Sequence, residues 1–463
     1  MANLSTSAGS CSPPRKRAKA HLGPVVDTVI AVSAVVENSP TQPSPLVIPA
    51  VTLESLPAEL RRRLLFSITN LEDLRALVLA SPVFHQQYLL DRKSLLGAAL
   101  ETTLGSVLVD AYAVQTSVSL CQPTADPESR QHAIRSFMDK YVELRSASPD
   151  RILEACKTDD HLIGIAVFYR SVAQHLVLEC AARFLYNFDS ALEVGNLSAM
   201  ERTRLLRALY RFQLYCNLFG PGPEEDRSPH GFFLPDILAI FFCTFKPWEI
   251  EEIHCLYILV RDKYKATLEA IRAVVHKDRP NTPPGTSDID GECKIVTVTV
   301  SFSLRKQADN SAVLLKGLRQ GIAERGLRLF YAVLRTSDHE ELAKRMQNYM
   351  KTPGVVEFVL EPSTQARRRL RHPLDEDRAE ARGERLPFSG DTENGPALAW
   401  VTVWGGRYSN RYGGNLPERL KRRGYVFWDA ERLLNSRGEG TLMRTLEAIR
   451  YLTSREIPRS TNG

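Results

Sequence analysis

No sequence fingerprint of a nucleotide, metal or hydrolase site occurs in this chain. It has no P-loop, Rossmann glycine pattern, H-E-x-x-H pair, EF-hand loop or G-x-S-x-G elbow, so the chemistries those motifs carry cannot be placed from sequence. Eight cysteines are present without a C-x-x-C pair or zinc-type spacing, the usage expected of a reducing, intracellular protein. Cys180, Cys216 and Cys243 fall inside apolar helical runs, where a free thiol behaves as a small hydrophobe. Neither sign of charge dominates. A formal +6 is mild for 463 residues and does not argue for nucleic acid unless the charge is clustered. No apolar run reads as a bilayer span: Val25–Val36 is short and interrupted by Asp27, and Phe232–Val260 is broken by Asp236, Lys246, Pro247 and a glutamate cluster, so core helices are expected. The first twenty residues are polar and basic without an apolar h-region, so no signal peptide is expected. No internal repeat of fixed period is visible.

The histidines and carboxylates do not fill these gaps. His339-Glu340-Glu341 reads as a helix start, because no second ligand follows at one-turn spacing. Asp288, Asp290 and Glu292 alternate as calcium ligands can, but the required glycine and the downstream bidentate glutamate are missing, leaving a charged linker. No catalytic residue, metal ligand or cofactor is assigned, and the protein is expected not to be an enzyme.

What the sequence does contain is the composition of an ordinary soluble protein, 43% apolar and 25% charged. The length permits two or three domains. Residues 1–50 are rich in Ser, Pro and Ala with few aromatics and are expected to be disordered. Within them Arg15, Lys16, Arg17 and Lys19 form a basic cluster that fits a nuclear-import signal read by acidic pockets on an import receptor, or else a solvated basic tail. Residues 51–101 carry three short amphipathic helices and 102–275 a helical body. Residues 276–293 form a Pro-rich linker, and 294–362 a second helical or mixed segment. Lys294–Leu304 alternates like a strand. Residues 363–396 are charged and irregular, and their Arg367-Arg368-Arg369 and Arg371 are expected on a mobile surface loop, with a site for an anionic partner as the alternative. Residues 397–463 are aromatic-rich, with two glycine pairs that suggest tight turns packed under rings. The expected fold is mainly α, with a three-helix start, a helical body and an irregular C-terminal region.

The first three helices can be read residue by residue. Pro57 suits the first helical position, and Leu60, Leu64 and Ile68 recur on one face while Arg61, Arg62 and Arg63 take the exposed arc. Asn70 is a good N-cap, with Asp73 in the first turn and Leu71, Leu74, Leu77 and Val78 following at helical spacing. Ser81-Pro82 ends that helix and caps the next, which carries Val83, Phe84, Tyr88 and Leu89. Helices this short are marginal alone and must bury their faces. They bury them either against the rest of the chain, or against a partner that reads Leu56, Pro57, Leu64, Leu71, Leu74 and Leu77. Pattern alone leaves both readings open.

The segment resembles an F-box, which typically opens with Leu-Pro, continues through an Ile/Leu-Leu pair and enters its second helix with Asp-Leu. Leu56-Pro57, Leu64-Leu65 and Asp73-Leu74 stand at matching places. The loop before Asp73 is one residue longer, Ala80 replaces the usual Val, and Phe84 replaces the usual Trp at places where partner contacts are expected. The runs Leu77–His85, Arg211–Phe219 and Gly424–Ala430 are similar to a group of fungal F-box-like proteins without assigned activity. The resemblance implies a non-enzymatic subunit of a Skp–cullin ubiquitin ligase. Its first helices would bind a Skp-type adaptor and its body would recruit an unknown protein substrate, in the nucleus or cytoplasm, without membrane attachment. The alternative is a nuclear scaffold or regulatory protein whose F-box-like helices belong to its own core, motivated by the basic clusters at 15–19 and 419–423.

Overall fold

A computed structural model of the chain describes residues 52–121, 126–156, 158–188, 195, 197–221, 231–277, 321–338, 340–342, 346 and 354–435, with the backbone alone at 121, 271–277 and 435. The basic cluster at 15–19, the linker acids at 288–292 and the strand-like run at 294–304 lie outside these residues. Eighteen α-helices and no strand occur among the described residues, so the mainly helical class expected from the periodicity is the class observed.

The N-terminal helices are α1 (Ala58–Ser67), α2 (Leu71–Ala80) and α3 (Pro82–Leu104). Their boundaries follow local chemistry. The Asn70 side chain accepts a hydrogen bond from the Asp73 N–H at 2.8 Å, and Ser81 caps α3 ahead of Pro82 in the first turn, each satisfying an amide that the helix leaves orphaned. Pro57 is the N-cap of α1 and not its first helical residue. Helix α3 bends at Asp91, where the backbone leaves the helical region, and Asp91 there accepts from Arg62 at 3.1 Å and Gln87 at 3.0 Å.

The body is built from α4 (Leu108–Ser117), α5 (Pro127–Arg145), α6 (Pro149–Ala155), α7 (Asp159–Phe168), α8 (Gln174–Phe188), α9 (Ala199–Phe219), α10 (Leu234–Ile240) and α11 (Pro247–Lys277). Helices α7 and α8 form one bent element, joined by a π-helical turn, Tyr169–Ala173. Helix α9 is central and packs against α4, α8 and α11. It opens with a reciprocal capping box between Ser198 and Glu201 and stops at Gly220, where Pro221 follows and cannot continue a helix. Two stretches, Pro82–Leu120 and Asp159–Phe188, have the length and apolarity of a bilayer span, and much of each is buried inside the protein.

Helix α9 is buried on nearly every side, so its arginines go inside with its leucines. Arg204, Arg207 and Arg211 are all buried. Arg207 meets Glu252 at 2.6 Å, and Arg211 meets Glu249 at 2.9 Å and Asp110 at 3.2 Å. Arg204 meets Asp429 at 2.8 Å and Asp391 at 3.0 Å, and Tyr141 donates its hydroxyl to Asp110. Burial by itself pushes the Glu249 carboxyl up, but Arg211, Arg207, Arg145 and the Lys246 N–H together outweigh it and hold the group down, at about 2.

The remaining helices are α12 (Leu327–Arg335), α13 (Val356–Val359), α14 (Pro362–Arg371), α15 (Asp375–Ala381), α16 (Leu398–Val403), α17 (Glu418–Lys421) and α18 (Ala430–Asn435). They correct two expectations. The arginine run at 367–371 lies on a helix, and Arg368 is fully buried, pairing with Asp377; the charge has counter-ions from the next helix that a loop reading did not supply. The 419–423 cluster is not a free basic patch. Lys421 is buried and donates to the Leu416 carbonyl, Arg422 pairs with Asp262 at 2.6 Å, and Arg423 donates to the Asn187 carbonyl at 3.2 Å.

The aromatic end is core. Trp400, Tyr412, Tyr425, Phe427 and Trp428 are fully buried. Gly424 has φ +57°, and a Cβ there would lie 2.7 Å from the Phe184 ring, so the turn needs glycine both for its left-handed backbone and for close approach. One continuous hydrophobic core runs from Leu65 to Leu433. Five cysteines, Cys156, Cys180, Cys216, Cys243 and Cys255, are free thiols. Burial pushes the Cys180 thiol up to about 12.

Candidate docking surface and adjoining cleft

The six residues that the sequence marks for partner binding separate into two groups. Leu71 and Leu74 are 4% and 3% exposed and face α3, to which α2 is packed. Leu64 and Leu77 are half-buried against the same core. Leu56 is half-buried and Pro57 exposed. Phe84, expected at a partner contact, is fully buried. Leu71, Leu74 and Phe84 therefore stabilise the segment from inside, and fully burying each contributes roughly 1.5–3 kcal/mol. The physical reason is spacing: α2 is short, and its 71/74/78 face is the one that must meet α3.

What these helices turn outward is also apolar. Leu53, Leu60, Phe66, Leu79, Leu89 and Leu90 are exposed, at 64% for Leu79 and 81% for Leu90. They are six of the fourteen large apolar side chains exposed among the described residues, all within one short stretch of the chain. Arg63 is exposed among them on α1, and Arg62 lies over the Phe66 ring at 5.2 Å. Single exposed leucines need no explanation, but this concentration does. Two of them correct the sequence reading: Leu60, expected on the apolar face with Leu64 and Ile68, and Leu89, expected with Phe84 and Tyr88, are exposed, because α1 turns Leu65 inward and α3 turns Phe84 inward. Leu53, Leu79 and Leu90 are not singled out by the sequence.

Ion pairs tie the segment to the body. Glu72 meets Arg170 at 2.9 Å and Arg92 meets Asp159 at 2.8 Å. Beside the first pair lies a cleft of about 280 Å³ lined by Asn70, Leu71, Glu72 and Thr103 from the segment and by Tyr169, Gln174 and Arg202 from the body. Arg202 donates to the Tyr169 hydroxyl at 2.6 Å. Tyr169 belongs to the π-turn, the kind of irregularity that re-aims a side chain within a helix. The lining offers hydrogen-bond donors and acceptors but no nucleophile set against a base. Among the described residues no group of three His, Cys, Asp or Glu is placed to hold a metal ion. Nothing in the sequence marks this cleft, because a π-turn has no residue signature here.

No protein-family model, curated protein or solved structure matches this chain.

Proposed function

We propose that the protein is a non-enzymatic interaction module that docks a helical adaptor of the Skp type through the outward faces of α1–α3 and recruits a second protein with its helical body. The observation that carries this reading is the concentration of exposed large apolar side chains between Leu53 and Leu90. Burying several such side chains contributes roughly 1.5–3 kcal/mol each, enough to offset an association cost of roughly 4–15 kcal/mol. The choice of a Skp-type adaptor rests on the F-box-like order Leu56-Pro57, Leu64-Leu65, Asp73-Leu74. The test is capture of purified full-length protein by an immobilised Skp-type adaptor. Wild type is expected to bind, and Leu79→Asp with Leu90→Asp to abolish capture without changing the circular dichroism spectrum. A wild-type chain that shows no binding ends the reading.

A second reading is favoured by the burial of Leu71, Leu74 and Phe84: the segment is an integral part of a nuclear scaffold or regulator. That reading expects no adaptor binding, and a nuclear fluorescent fusion that relocates on Lys16→Ala/Arg17→Ala. A cytoplasmic wild-type fusion ends its nuclear part.

A further inference from the structure

One charge in the cleft between α2 and the body has no counter-ion among the described residues. The walls are Asn70, Leu71, Glu72 and Thr103 from the segment and Tyr169, Gln174 and Arg202 from the body. Most of their polar groups are matched. Glu72 meets Arg170 at 2.9 Å. Asn70 caps α2 and donates its side-chain amide to Asp73 at 2.7 Å. Thr103 accepts from the Leu71 N–H at 3.3 Å and donates to the Ala99 carbonyl at 2.6 Å. Arg202 is half-buried, meets no carboxylate among the described residues, and donates from its guanidinium to the Tyr169 hydroxyl at 2.6 Å.

Half-burying a cation costs free energy unless a counter-ion offsets it. A guanidinium carries five N–H groups in a planar fork, and the Tyr169 hydroxyl occupies one side of it. Tyr169 is 3% exposed. Its oxygen accepts from Arg202, which leaves the hydroxyl proton to be donated elsewhere. The half-buried Gln174 adds two amide donors. The body side of the cleft is therefore a wall of donors with one uncompensated positive charge.

We propose that this cleft binds a small organic carboxylate. Arg202 takes the carboxylate oxygens in its fork, Tyr169 and Gln174 donate to the same group, and the apolar remainder lies against Leu71. Charge selects a monoanion. Arg202 offers a single positive charge and Glu72 lines the same cleft, so a phosphate dianion would keep an unmatched charge near that carboxylate. Size selects a small molecule, because about 280 Å³ lies at the lower end of ligand pockets. A free acid and a peptide C-terminus share this chemistry. Because the walls come from both α2 and the body, the bound molecule bridges them and steadies the seat of the segment. This inference does not depend on adaptor binding.

The experiment titrates the full chain with butyrate, benzoate and N-acetylleucine, each against its own amide, and with inorganic phosphate. A tetrapeptide ending in leucine is added with a free and with an amidated C-terminus. Binding is read by ligand-observed NMR and by melting temperature. At least one carboxylate is expected to bind with a Kd below about 1 mM, about tenfold or more tighter than its amide. Affinity is expected to fall as salt rises, and the melting temperature to rise with ligand concentration. Arg202→Gln is expected to weaken binding about tenfold or more, and Tyr169→Phe and Gln174→Ala by smaller factors. Gln174→Ala keeps the test open if Arg202→Gln fails to fold. Free acids binding as tightly as the peptide support the site and assign it to a small molecule; a tighter free-ended peptide supports it and assigns it to a chain end. The proposal is overturned if no carboxylate binds, if the amides bind equally, if phosphate binds more tightly than every acid, or if the folded variants all bind as wild type does.

Discussion

The N-terminal helices and the centre of the body break the usual sorting of side chains in opposite directions. Along α1–α3, leucines stand in water; along α9, arginines stand in the core. The second departure is resolved within the chain, because Arg204, Arg207 and Arg211 each find carboxylates contributed by helices or turns remote in sequence. The first is not. An ion pair brings both partners inside and completes itself, whereas an exposed leucine can be completed only by something else. The contrast separates two kinds of departure: the buried charges are completed by the chain's own carboxylates, and the exposed leucines are the surface on which the proposed docking rests.

The strongest way to break the contrast is to unpair the interior. Arg211→Ala takes from Asp110 the cation it meets at 3.2 Å and leaves Glu249 with only the longer contacts to Arg145 and Arg207, and is expected to cost about 3–5 kcal/mol in urea unfolding. Next comes the hidden face of the front segment. Leu74→Ala is expected to cost about 2–5 kcal/mol, and Leu74→Asp to unfold the segment, so loss of adaptor capture by that variant would say nothing about a docking surface.

A third expectation separates two buried glutamates. Glu324 is fully buried, accepts from the Val356 N–H at 2.8 Å and meets no cation among the described residues; burial raises its carboxyl to about 8 despite the backbone donors. A folded-state value above the unfolded one means that the native state binds the proton more tightly. Its contribution to stability is present below the ordinary glutamate range and is lost as pH rises toward 8. Glu249, held at about 2, works the other way: its contribution is present above the ordinary range and is lost as pH falls toward 2. Glu324→Gln is therefore expected to flatten the decline of stability between about pH 5 and 8, measured as urea midpoints across that range, and to leave acid unfolding unchanged. The smallest effect belongs to the outward leucines. Leu79→Ser and Leu90→Ser are expected to shift stability by no more than about 0.5 kcal/mol, while removing adaptor capture if that contact exists.

Much of the architecture was legible in the sequence because local chemistry writes it there. Asn70 and Ser81 cap the helices they were expected to cap, and Cys180 and Cys216, expected inside apolar helical runs, are buried on α8 and α9. Interior charge was harder to read. Its signal was on the page, in arginines at helical spacing along α9 and in Glu249, Glu251 and Glu252 within an otherwise apolar run. Pairing them needs contacts between α9 and α11, which spacing within either helix cannot give. The two sides of α14 were hidden for the same reason. Only its packing shows that Arg368 pairs with Asp377 while Arg371 meets no carboxylate among the described residues, and in sequence the two belong to one basic run.

The sealed thiols carry a practical consequence. Cys180 and Cys255 have no exposed surface, and burial pushes both away from the reactive thiolate form. A maleimide or iodoacetamide added to the native protein can modify them only when the surrounding helices part. Cys180 lies on α8 and Cys255 on α11, both packed against the central helix, so the two alkylation rates, followed by mass spectrometry of the digested peptides, would time how often each side of the molecule breathes.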